Sequence, residues 1–402
     1  MTTPAFDRGP LGDLRVLELG TLLAGPFCGQ LLGDMGAEVI KIEPPGQGDP
    51  MRNWGRQKPG EPSLWWPVIA RNKKAITLDL RQADGQRLLL ELAAKADFLV
   101  ENFRPGTLEK WNLGWDQLHA ANPRLIMVRV SGYGQTGPYA GRAGFGAIGE
   151  AMGGLRYVVG NPESPPSRVG ISIGDSLAAT FACVGALAAL NYRERTGRGQ
   201  VVDSAIYEAV LGMMESLITE YDQIGYIRER TGAILPNVAP SNVYPSRDGL
   251  VLIAANQDTV FRRLCEAMQR PALAEDVRYD SHQSRGAHQQ ELDELIGAWT
   301  AGFTTQDLLS LMEKHGVPAG QIYRAPEMLE DPHFAAREAI VAVTHPQFGR
   351  LRMQNVVPKL SVTPGGIRQP SPALGEHNDE IYLNLLGVPR ERYDRLKAAC
   401  VI

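Results

Sequence analysis

The sequence predicts an α/β protein in which a doubly wound, mostly parallel sheet is followed by a smaller α/β unit. Three observations predict it. Short apolar strands alternate with helices over residues 15–130, the pattern of crossover-connected parallel strands. A Pro-bearing stretch, 225–245, separates this region from a second α/β pattern. At 402 residues, the chain is too long for one small core.

Residues 15–19 (RVLEL) read as a strand. A turn over 21–25 leads into a helix opened by Pro26, running to about Met35 and capped by Gly36. Strand 38–43 (EVIKIE) precedes a Pro- and Gly-rich loop, 44–62. A strand over 75–80 and a helix over 83–96 follow, the helix with Leu88, Leu89 and Leu92 on one face. Residues 98–101 and 125–130 are two more strands. The sheet resembles a Rossmann arrangement, but Gly20 and Gly25 lack the GxGxxG spacing, so NAD binding is not expected.

Residues 131–170 are glycine-rich and irregular. Asp175 opens an apolar helix over 176–193, and a second helix covers 206–224. After the linker, 250–254 is a strand, with helices near 258–268, 288–302 and 305–315. The stretch 325–375 is expected to be extended, and a last helix runs over 378–386.

The formal net charge of −4 argues against a nucleic-acid binder. No apolar run is expected to reach the ~20 residues that cross a bilayer. The polar stretch 1–13 lacks the apolar core of a secretion signal. Cys28, Cys183, Cys265 and Cys400 are scattered, which disfavours a disulfide framework or a zinc site. Cytoplasmic location is the default reading. There is no GxSxG or HExxH, and the seven histidines are dispersed, so neither a hydrolase triad nor a metal site is expected.

Asp175, between Gly174 and Ser176, has two compatible readings. It can cap a helix, or it can be an ionised carboxylate that the helix N-terminus stabilises beside a pocket. A carboxylate there can attack a thioester and form a mixed anhydride. Arg71, Lys73, Lys74, Arg104 and Lys110 form a basic set near strand ends. They read either as solvated surface charge or as phosphate ligands at the sheet's ligand-binding edge.

Seven segments in order carry a specific resemblance: 23–49, RNKKAITLDL (71–80), VENFRPG (100–106), SGYGQTGP (131–138), GDS (174–176), RTGRGQ (195–200) and LGEHND (374–379). Together they resemble the class III coenzyme A transferases, also called the carnitine/formyl-CoA transferase family, over nearly the whole chain. The resemblance implies a Rossmann-like large domain with an inserted small domain and an interlocked homodimer. The expected boundaries are 1–224 for the large domain, 225–245 for a linker and 246–324 for the small domain. An extended linker, 325–375, then returns the chain to the large domain at 376–402.

The resemblance implies Asp175 as the covalent catalyst, in an enzyme of the EC 2.8.3 type. It implies coenzyme A contacts at Ala24, Asn102, Phe103 and Arg104, with Lys73, Lys74 and Lys110 as further candidates. Coenzyme A and acyl-CoA are then substrates, with no permanently bound cofactor, metal, nucleic acid or membrane. Leu23 and Pro44 depart from the formyl-transferring members and point away from formate and oxalate.

Motifs around 131–144 are similar to those of transferases that pair succinyl-CoA with a dicarboxylic acid: glutarate, malate, itaconate, mesaconate or citramalate. Arg52, Arg71 and Arg168 are candidates to meet the second carboxylate. Two alternatives stand beside this reading. An acyl-CoA racemase of the same fold would need a histidine where this chain has Phe145, which otherwise reads as a packing residue. A non-catalytic CoA-binding protein would need Asp175 only as a cap.

Overall fold

The computed structural model describes residues 9–57 and 63–402. Residues 1–8 of the polar N-terminal stretch and 58–62 of the expected loop lie outside the described residues. The chain forms two compact units. One combines the residues up to Leu155 with Val169–Gln223 and Ala336–Ile402, and the other combines Arg156–Arg168 with Ile224–Ala335.

The first unit holds six parallel strands: β1 (Arg15–Glu18), β2 (Glu38–Glu43), β3 (Lys73–Thr77), β4 (Phe98–Glu101), β5 (Ile126–Ser131) and β6 (Val201–Ala205). Their order is β3-β2-β1-β4-β5-β6. Winding reverses between β1 and β4, and such a reversal opens a crevice at the carboxyl ends of the strands. The strands are apolar because both faces are covered. Leu17, Ile40, Ile76, Leu99 and Met127 pack with Leu88, Leu89 and Leu92 of the helix Ala83–Ala93.

Sequence reasoning misses β6 and places β3 two residues late. β6 is short and half exposed, so alternation is weak. β3 begins with two lysines, of which Lys73 is buried.

The last part of the chain returns to this unit and closes the β3 edge. Thr77 N–H donates to Asn378 Oδ1 at 2.9 Å, and Ala75 N–H donates to His377 Nδ1 at 3.2 Å. Asp79 N–H donates to Val401 O at 2.8 Å, and Tyr382 Oη donates to Thr77 O at 2.7 Å.

The second unit holds a three-stranded antiparallel sheet: β7 (Ser241–Pro245), β8 (Leu250–Ala254) and β9 (Ala319–Gln321). Its core joins Val251 and Ile253 to Phe261, Leu264, Leu292, Ile296 and Leu308. The stretch 325–375 is not extended throughout. It carries the helices Ala325–Glu330 and Pro332–Ala336 and the hairpin β10 (Ile340–His345) and β11 (Gly349–Gln354).

The helix expected over 206–224 is broken into Ile206–Leu211 and Leu217–Ile224. Between them, Glu215 takes a left-handed φ of 53°, which no α-helix can hold. The helix Ile173–Thr196 corrects the expectation about apolar runs: its 24 residues include a stretch of mean hydropathy 1.7, long and apolar enough to cross a membrane. Its apolar excess faces outward on this chain, at Phe181, Val184 and Leu187.

Candidate active site

The crevice at the carboxyl ends of β1 to β4 has a volume of about 190 Å³ and is lined in part by Thr21, Glu43, Leu80, Phe103 and Trp111.

 A separate cleft at the amino edge of the sheet, lined in part by Glu38, Asn72 and Lys74, has a volume of about 270 Å³. Phe103 and Trp111 meet edge to face at 5.5 Å between ring centroids.

Asn102, just past β4, fixes the turn after β1. Its Oδ1 accepts from Thr21 N–H at 2.7 Å, and its Nδ2 donates to Thr21 O at 2.9 Å. A Cβ built on Gly20 would lie 2.9 Å from Asn102 Oδ1 and 3.0 Å from Gly25 Cα. Only glycine lets this turn close so tightly. Ala24 is thereby buried in the first turn of the helix Ala24–Asp34.

Arg104 is exposed and donates through Nε to Gly141 O at 2.9 Å. Lys110 is exposed at the end of the short helix Thr107–Lys110. Behind Phe103, Glu101 accepts from Phe103 N–H at 2.7 Å and from Arg129 Nε at 2.7 Å. Arg129 also pairs with Glu109 at 2.7 Å. Burial pushes the Glu101 carboxyl up to about 7, outweighing the Arg129 guanidinium beside it.

Two lysines of the sequence-predicted set are not brought to this crevice. Lys73 is 1% exposed, pairs with Glu18 at 2.7 Å and donates to Pro26 O at 2.7 Å. A buried, paired ammonium is not presented to this crevice, where the expected coenzyme A contact would have to be made. Lys74 stands at the amino end of β3, paired with Glu38 at 2.5 Å and Glu380 at 2.6 Å. Arg52 is held by Glu43 at 2.7 Å and Arg71 by Asp34 at 2.6 Å. Neither guanidinium is free to meet a substrate carboxylate.

Sequence reasoning also missed Lys41 and Asp49. Lys41, buried, pairs with Asp49 at 2.7 Å and Glu18 at 3.2 Å, and donates to Gly20 O. Burial alone would lower the Lys41 pKa, but Asp49, Glu18 and Glu43 together hold it above its ordinary value. Asp49 Oδ1 accepts from Leu22 N–H at 3.0 Å, fixing a residue whose φ is 61°. The available signal was a lysine at an inward position of the apolar strand EVIKIE.

Asp175 is the third residue of the helix Ile173–Thr196, whose N-cap is Ser172. It is therefore inside the first turn rather than the cap, and the helix dipole still favours its negative charge. Gly174 is buried: a Cβ there would lie 3.0 Å from Gly146 O and 3.1 Å from Glu150 Cγ. A Cβ on Gly146 would lie 2.7 Å from the Asp175 carboxyl carbon. Two glycines thus let the carboxylate sit against backbone. Phe145, the residue before Gly146, is 69% exposed on this chain and is not a packing residue of its own core. It precedes the helix Gly146–Met152 with an extended backbone that turns its ring outward.

Comparison with known proteins gives a consistent result. Residues 11–378 match the pattern of CoA-transferase family III. The chain is 62% identical over 394 residues to the succinyl-CoA–D-citramalate CoA-transferase of Chloroflexus aurantiacus, covering 98% of each chain. It is 34% identical to the succinate–glutarate CoA-transferase of Agrobacterium fabrum, covering 97% of this chain and 99% of that one. A solved CaiB/BaiF family protein from Brucella suis superposes with a TM-score of 0.83 at 34% identity, covering 94% of this chain and 100% of that one.

Proposed function

The chain belongs to CoA-transferase family III, and from that premise we propose that it moves coenzyme A from succinyl-CoA to a dicarboxylic acid, D-citramalate first among the acceptors, with Asp175 carrying the acyl group. The single observation behind the catalytic assignment is the Asp175 carboxylate seated against Gly146 in the first turn of an apolar helix. The acceptor follows from the 62% identity to a D-citramalate transferase.

In this reading an Asp175 oxygen attacks the thioester carbonyl, the C–S bond breaks and the thiolate leaves. The mixed anhydride is then attacked by the thiolate at the Asp175 carbonyl, which releases succinate bearing one aspartate oxygen. The acceptor carboxylate attacks the resulting aspartyl thioester and forms a second anhydride. Thiolate returns to the acceptor's carbonyl carbon, giving the new CoA ester and restoring Asp175. A carboxylate suffices for every step, so no permanently bound cofactor is required. Asn102, Phe103 and Arg104, with Ala24 and Lys110 beside them, are the residues we assign to coenzyme A.

A racemase would need an acid/base pair about the alpha carbon, and Phe145 cannot move a proton. The outward apolar face at Phe181, Val184 and Leu187 supports the proposal that two copies associate. Incubation with succinyl-CoA followed by hydroxylamine should convert Asp175 to a hydroxamate detectable by peptide mass. Alpha-deuterium exchange with no mass change at Asp175 would instead identify a racemase.

A further inference from the structure

A dicarboxylic acid brings a second carboxylate that takes no part in acyl transfer and has to be met by cations or donors. Arg52 and Arg71 are already held by Glu43 and Asp34. We propose that Arg142 binds this distal carboxylate and so selects dicarboxylic over monocarboxylic acids; the proposal rests on the reading of Asp175 as the acyl carrier.

Arg142 lies on the loop between β5 and the helix Gly146–Met152, and that loop is fixed at three places. Gly141 O accepts from Arg104 Nε at 2.9 Å. Gly144 packs on Gly132, where an added Cβ would lie 3.1 Å from Gly132 Cα. Gly146 ends the loop against the Asp175 carboxylate. Arg142 and Gly146 are four positions apart, which limits their Cα separation to about 14 Å.

The Arg142 guanidinium carbon stands 3.7 Å from the centroid of the Tyr139 ring, and Arg142 N–H donates to Tyr139 O at 2.9 Å. Among the described residues its guanidinium has no carboxylate partner. A guanidinium stacked on an aromatic face is held in orientation while its N–H edge stays open to a bidentate oxyanion. Arg104 is anchored on Gly141 O, the residue before Arg142, rather than on the Tyr139 ring, so the two cations can serve different oxyanions. A coenzyme A phosphate is the other oxyanion Arg142 could meet, and the experiment separates the two.

The experiment measures the single-turnover rate of Asp175 acylation by mass spectrometry, with subsaturating succinyl-CoA and butyryl-CoA, which differ in the distal carboxylate. Arg142→Gln should slow acylation by succinyl-CoA about tenfold or more, the loss of a charged hydrogen bond, and leave butyryl-CoA unchanged. Arg142→Lys should fall between. An equal loss with both donors, absent with their dephospho-CoA analogues, would assign Arg142 to the 3′-phosphate and overturn the proposal. An unchanged ratio of the two donors would also overturn it. Absence of Asp175 acylation in the wild type would instead sink the reading of Asp175, and this proposal with it.

Discussion

The Asp175 carboxylate occupies the space that a side chain on Gly146 would need, with only 2.7 Å between that Cβ position and the carboxyl carbon. The two residues come from different helices, so the position of the carboxylate depends on a glycine 29 positions earlier in the sequence.

Gly146→Ala should therefore displace Asp175 while leaving the sheet intact. A misplacement of about 1 Å at a reacting group costs roughly 10²-fold in rate. Steady-state transfer assays beside circular dichroism would check this. Full activity in the alanine variant would show that Asp175 does not need its present position.

Asp175→Ala should abolish transfer with the fold retained, and Asp175→Asn should do the same without changing side-chain shape. Residual activity above a few per cent of wild type in freshly prepared protein would remove Asp175 from the mechanism.

Arg104 and Lys73 should behave differently although both are cations of the sequence-predicted set. Arg104→Ala should raise the KM for CoA esters about tenfold with little change in stability. Lys73→Met should destabilise the fold by about 3 kcal/mol, because Glu18 would lose a buried partner. Denaturant melts and KM values on the same two proteins distinguish these outcomes.

Glu101 gives a pH signature. Its folded-state pKa, about 7, is above the ordinary 4.5, so the folded protein binds the proton more tightly than the unfolded chain. The contribution to stability is fully present below about 4.5 and is lost as pH rises to about 7, by about 3 kcal/mol in total. The difference between wild type and Glu101→Gln in denaturant midpoint should follow that window. A difference that does not change between pH 4.5 and 7 would contradict it.

Two copies of the chain should associate through surfaces that include Phe181, Val184 and Leu187. If they interlock, tagged and untagged dimers should not exchange under native conditions. Rapid formation of mixed dimers would exclude interlocking.

Most of the sheet was legible because its strands are apolar runs with helices between them, and the site turn was legible through Gly20, Gly25 and Asn102. The buried charges were not. Lys73 looks like a surface residue in a sequence, and only the positions of Glu18 and Asp49 show that it and Lys41 are paired inside. The closeness of Gly146 to Asp175 was equally hidden, since it is a tertiary contact between two helices with no shared local pattern. The start of the Asp175 helix was placed late because Ser172, the true cap, lies in a glycine-rich region without periodicity.

The closure of the β3 edge by His377, Asn378 and Val401 has a consequence for synthesis. A ribosome delivers the three remaining strands of the sheet, β4 to β6, and the whole of the second unit before the residues that seal that edge. Until then Ala75 and Thr77 present unsatisfied amides on an exposed strand, a template for pairing with another nascent chain. Release of the final residues is thus the step that ends this vulnerability, and a chain cut before Asn378 would retain an open edge for its lifetime.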